Sequence, residues 1–215
     1  MKKKKINYRP TFIPNQYHHC YNHGIGDELL FRQAENYPYF LQLYKKYLDP
    51  VMVLYAFCLM PNHFHFLIRV RSVAELKRHY LHLKPDATVD WKNINWHSFI
   101  TRQIGNCTNA YAKAINKRFN RRGGLFERDM KRPIIDSETY FLQTLRYIHY
   151  NPIRHGFVKE LEDWDFTSYH AYLNASKTGK YKTEVLQRLG GIQAFLDFHR
   201  DSQDFGDLNN IEEGW

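Results

Sequence analysis

Two imidazoles separated by one apolar residue, His63-Phe64-His65 in the run CLMPNHFHFLIRV, are the residues of this chain best placed to hold a metal. Strand side chains alternate between faces, so both histidines point one way while Phe64 points into a core. Such a pair lacks a third ligand, and in a chain with twelve histidines the spacing alone is weak evidence. The run LRYIHYNPIRHG supplies the missing part, because Tyr147 and Asn151 lie four apart and share one helical face. If that helix packs beside the strand, Asn151 offers an amide oxygen to the metal and Tyr147 points at the same cavity. A divalent ion held by two imidazoles and one amide keeps open positions, where it can polarise a scissile phosphate and help a leaving 3′ oxygen carry charge. Tyr147 is then the nucleophile, a phenol of ordinary pKa near ~10 that must lose its proton in the transition state. Its attack gives a 5′-phosphotyrosine and a free 3′-hydroxyl. Tyr150 is the rival nucleophile, and both tyrosines also suit a role as ordinary core aromatics. Pro152 disfavours the helical conformation of the residue before it, which puts Asn151 just past the last helical turn.

A third element, NKRFNRRGGLFERDMKR, crowds Lys117, Arg118, Arg121, Arg122, Arg128, Lys131 and Arg132 around the Gly123-Gly124 turn. Arginine at this density, with Phe119 and Phe126 interleaved, suits a loop that grips a nucleic-acid backbone and stacks a base better than it suits a solvated helix end.

The elements that must position these residues follow from periodicity. A strand is expected over 16–22, closed by the Gly24 to Gly26 turn, and a helix over 34–48, stopped by Asp49-Pro50. Residues 51–59 and 63–70 are β-branched and aromatic-rich and form an antiparallel hairpin about Met60-Pro61-Asn62. The polar stretch from Arg71 to Ile94 suits a helix start followed by an exposed insertion. A long helix is expected over 97–119, a short strand over 132–135, and a helix from Glu138 to about Tyr150, capped by Asp136-Ser137. A short docked helix in DWDFTSYHAYL, an amphipathic stretch over 183–198 and an acidic tail complete the chain. The order β-α-β-β-α-β-α predicts an α+β fold, a ferredoxin-like (RRM-like) antiparallel sheet with helices packed on one face and a helical C-terminal extension. Three segments are expected: a basic arm over 1–16, a catalytic domain over 17–173, and an extension with its tail over 174–215.

Composition narrows the partners. The chain has 215 residues, 43% of them hydrophobic, and no apolar run near the ~20 residues that span a bilayer, so a soluble intracellular protein is expected. Three scattered cysteines exclude a disulfide framework or a zinc ribbon. A formal charge of +9 calls for a polyanion, because each neutralised phosphate releases condensed counterions.

Together the segments LMPNHFHFLIRV, NRRGGLFERDMKR and YIHYNPIRHGFV, in this order and with DWDFTSYHAYL following, resemble the single-tyrosine HUH transposases, most closely the REP-associated tyrosine transposases. The resemblance runs from about Tyr17 to Leu173. It implies a metal on His63, His65 and Asn151, with Tyr147 as the nucleophile. It further implies Mg2+ or Mn2+ dependence, single-stranded DNA with hairpins as substrate, no membrane, and a cytoplasmic, nucleoid-associated location. Some members act as homodimers and others as monomers. The insertion from about Arg71 to Asn95 and the C-terminal extension depart from the family pattern. A relaxase or replication-initiator-like nickase, or a non-catalytic nucleic-acid-binding module, is the alternative.

Overall fold

The computed structural model describes residues 7–174, 179–201 and 208; the lysine-rich start and nearly all of the acidic tail lie outside the described residues. Four strands, β1 (Tyr17–His23), β2 (Met52–Met60), β3 (His63–Val70) and β4 (Ile134–Ile135), form one antiparallel sheet in the order β2-β3-β1-β4. With α1 (Asn36–Leu43) between β1 and β2 and α3 (Trp96–Arg118) between β3 and β4, this is the ferredoxin-like connectivity expected of the sequence. The α1 helix continues as a π-helical turn over Tyr44–Leu48, and α2 (Val73–Leu83) opens the insertion. Its start is fixed by a capping box: Ser72 accepts from the Glu75 amide while Glu75 reaches back to the Ser72 amide.

Strand alternation divides the core in two. Cys20, Phe64, Phe66 and Ile68 face α1 and α3, packing on Phe40, Ile100, Cys107 and Tyr111. Tyr21, Val53, Tyr55 and Leu67 face the opposite way, against α4 (Glu138–Arg154), α5 (Tyr169–Leu173), α6 (Lys180–Leu189) and α7 (Ile192–Arg200). The expectation of helices on one face is therefore corrected: both faces of β1, β2 and β3 carry large apolar or aromatic side chains, and both require cover. The expected single stretch over 183–198 is also divided, because Gly190 and Gly191 take positive φ values of 95° and 112°, which end α6 and turn the chain into α7.

β2 contains a bulge between Leu54 and Ala56, so that Tyr55 and Ala56 both face α4. Its outer edge is not left open: Ser168 N donates to Phe57 O, Leu59 N to Phe166 O, and the Trp164 indole to Leu59 O. Among the described residues no helix is long and apolar enough to cross a membrane.

Candidate active site on the second face of the sheet

β3 delivers His63 and His65 to the α4 side, and the register of β1 places Tyr21 opposite His65 and His23 opposite His63. The helix that meets them begins at Ser137, whose hydroxyl accepts from the Tyr140 amide. It runs to Arg154 with Pro152 inside it, rather than ending near Tyr150. The proline ring removes only one backbone donor close to the C-terminus, where His155 N still bonds Asn151 O, and Gly156 at φ +71° ends the helix. Asn151 is thus helical and on the same face as Tyr147.

The four residues meet. His63 reaches two amide oxygens, Asn62 Oδ1 from Nδ1 and Asn151 Oδ1 from Nε2, each at 2.9 Å, and a neutral ring donates to one of them. The His63 and His65 rings stand 5.1 Å apart, and the His65 ring meets Tyr147 edge to face at 5.6 Å and 90°. His65, Tyr147 and Asn151 are fully buried and His63 is 5% exposed. The Arg154 guanidinium lies 5.0 Å from the centre of the Tyr147 ring.

The donors fit a small divalent cation. His63 Nε2 and Asn151 Oδ1, 2.9 Å apart, are close enough to contact one small cation together. Among the described residues there is no group of three or more His, Cys, Asp or Glu that could hold a metal. Asn151 Oδ1 is the amide oxygen that stands beside His63, and imidazole, amide and water are donor types that suit a small divalent ion.

Further residues belong to this cluster. His19 Nε2 is 3.0 Å from His65 Nδ1, a contact that holds the His65 ring, and its own ring lies 5.7 Å from Tyr147. His23 stacks on His63 at 5.9 Å and 10°, and His155 is 5.0 Å from it on the C-terminal end of α4. The alternation His19, Tyr21, His23 along β1 was the available signal for the strand residues. Gly24 fixes the end of that strand, since a Cβ there would fall 2.1 Å from Glu28 O. Tyr150 is turned elsewhere: its hydroxyl donates to His199 O, and burial raises its pKa.

The basic residues separate by role. Arg132 donates to Pro10 O at 2.8 Å and Met130 O at 2.9 Å, and Arg121 pairs with Glu28 at 2.9 Å and bonds Gly124 O. Both fasten the chain to itself. Arg118 bonds the Gln33 side chain, and Lys131 lies over Tyr21 at 5.8 Å, where burial lowers its pKa. Lys117, Arg122 and Arg128 are exposed. Arg128 and Lys131, with Arg9, His23, Glu127 and Asp129, line a cavity of about 350 Å³ at the His63 end of the sheet, where Arg9 pairs with Asp129.

No protein-family model matches the chain. A Haemophilus influenzae protein provisionally named a REP-associated tyrosine transposase is 25% identical over 128 residues, 56% of this chain, and the chain spans 60% of that relative's length. A solved structure of the REP-associated tyrosine transposase bound to a REP hairpin superposes with a TM-score of 0.55 at 15% identity, covering 81% of this chain and 89% of that one. The resemblance carried by the three sequence motifs is thus met by a relative in sequence and by a solved structure in fold.

Proposed function

We propose that the chain is a tyrosine transposase that cuts and rejoins single-stranded DNA beside hairpins, with Tyr147 as the nucleophile. The observation that carries this reading is the convergence of Tyr147, Asn151, His63 and His65 from one helix and one strand. His63, His65 and Asn151 would hold Mg2+ or Mn2+, which when bound polarises the phosphate and stabilises the leaving oxygen. The Tyr147 hydroxyl attacks phosphorus, the P–O3′ bond breaks, and the 5′ phosphate is kept on the tyrosine while the 3′ oxygen takes up a proton. Reversal by another 3′-hydroxyl rejoins the strand. Arg154 supplies positive charge beside the phenol as that oxygen becomes negative. His19 keeps the His65 ring in place. Lys117, Arg118, Arg122, Arg128 and Lys131 face the DNA backbone, whereas Arg121 and Arg132 shape the loop that presents them. Because Tyr147 is fully buried, its surroundings must open before a phosphodiester reaches it.

The test is a denaturant-resistant adduct between the protein and a labelled single-stranded hairpin oligonucleotide in Mn2+. The native chain forms it, Tyr150→Phe retains it and Tyr147→Phe loses it. An adduct that survives Tyr147→Phe but is lost in Tyr150→Phe would overturn the assignment. Absence of any adduct with native protein across hairpins of varied sequence would favour a binding module.

A further inference from the structure

The insertion that departs from the family pattern is not featureless. Between the end of α2 and the first turns of α3 lies a cleft of about 250 Å³. Tyr80 and Phe99 form an aromatic wall, their rings 5.3 Å apart and tilted by 48°. Lys84 and Arg102 line the same cleft, and no carboxylate does. Lys84 sits 5.3 Å over the Tyr80 ring, and neither cation forms an ion pair among the described residues. Gln103 also lines it. That side chain is 5% exposed, its oxygen accepts only a 3.5 Å bond from Asn106, and its amide nitrogen donates to no protein group among the described residues.

Each part suits one piece of a nucleotide. Aromatic faces stack any base, unpaired cations take a phosphate, and a buried amide donor reads a base or sugar edge. We infer that this cleft binds an unpaired nucleotide of the DNA, with its base on Tyr80 and Phe99 and its phosphate on Lys84 and Arg102. The inference rests on the reading of the chain as a DNA-transferring enzyme and adds a second contact point to it. From Arg102 to Arg118 the α3 helix advances about 24 Å. A duplex rises about 3.4 Å per base pair, so roughly seven base pairs separate a phosphate at the basic loop from one in the cleft. Only an oligonucleotide long enough to span that distance feels both.

The experiment compares wild type with a Lys84→Ala, Arg102→Ala double variant by fluorescence anisotropy, on hairpins with stems of about three and about eight base pairs. Both side chains are exposed, so the variant folds, and an unchanged thermal midpoint verifies this. The variant is expected to bind the long hairpin about ten- to a hundredfold more weakly, with a shallower salt dependence, and the short hairpin as wild type does. Equal affinity of the two proteins for both hairpins overturns the inference. So does displacement of a fluorescent mononucleotide from wild type but not from the variant with DNA binding unchanged, since the occupant is then a free nucleotide. The Tyr147 adduct, measured in parallel, separates the two readings. An intact adduct without the length-dependent loss sinks the cleft alone, and the loss without an adduct sinks strand transfer alone.

Discussion

The two faces of β3 are one residue apart and chemically opposed. Phe64, Phe66 and Ile68 enter a core of rings and aliphatic chains beneath α1 and α3, while His63 and His65 enter a buried cluster beneath α4 with Asn151, Tyr147 and His19. Burial of the first set is favourable by itself, at about 25 cal/mol per Å² of apolar surface. Burial of the second costs energy unless each polar group finds a partner. The partner of His63, Asn151, comes from α4, 88 residues along the chain, and that of His65, His19, from β1, so the polar cluster depends on the docking of distant elements. The apolar set of β3 supports the fold by itself, and the polar set, within the second core, holds groups that are useful because they are costly to bury.

The sharpest way to break this contrast is to truncate the apolar face. Phe66→Ala is expected to lower unfolding stability by about 3–5 kcal/mol, measured by urea titration. If the loss were under 1 kcal/mol, that face would not be the support proposed for it.

Acid probes both faces at once, because each buries a neutral histidine. His18, against Phe12, and His199, against Phe195 and His149, both have pKa values lowered by burial to about 4. The unfolded chain takes up these protons near the ordinary histidine value of ~6.5, and the folded chain does so only near 4. Their contribution is complete above pH 6.5 and is lost as pH falls from there to 4, by up to roughly 3 kcal/mol for each residue. Urea midpoints that stay level between pH 7 and pH 4.5 would contradict this.

A smaller effect is expected on the polar face. His65→Leu fills the space with an apolar side chain but leaves His19 without its imidazole contact, so the cost is about 1–2 kcal/mol. Mn2+ binding, followed by calorimetry, should nevertheless be lost. A variant that keeps Mn2+ affinity would remove His65 from the ligand set.

The smallest effects distinguish the arginines. Arg132→Ala strips donors from Pro10 and Met130 carbonyls and should cost about 1–2 kcal/mol. Arg122→Ala should leave stability within about 0.5 kcal/mol and lower the salt slope of DNA binding by about 1.

These differences also explain what could be seen in advance. The strands, their hairpin and the long α3 helix declare themselves through local periodicity, and so do His63 and His65. The ferredoxin-like order follows from counting elements. Cover on the second face did not, because nothing local says where α4 to α7 dock. Pro152 misplaced the end of α4, since a proline near a helix C-terminus removes a donor without forcing the chain out of the helix. The arginine-rich loop was legible as a charge cluster only. That Arg121 and Arg132 bond their own chain depends on Glu28 and Pro10, both far away in sequence. His19 and His155 join the site through strand register and the helix end, neither of which a motif records.

The bulge in β2 has a consequence for how this lineage can change length. Tyr55 and Ala56 occupy the same face, so removing Ala56 restores strict alternation from Met52 to Met60 and turns no side chain inside out. In an unbulged strand the loss of one residue would carry every following side chain to the wrong face. A single-codon deletion at this buried point therefore keeps the strand's inward and outward pattern.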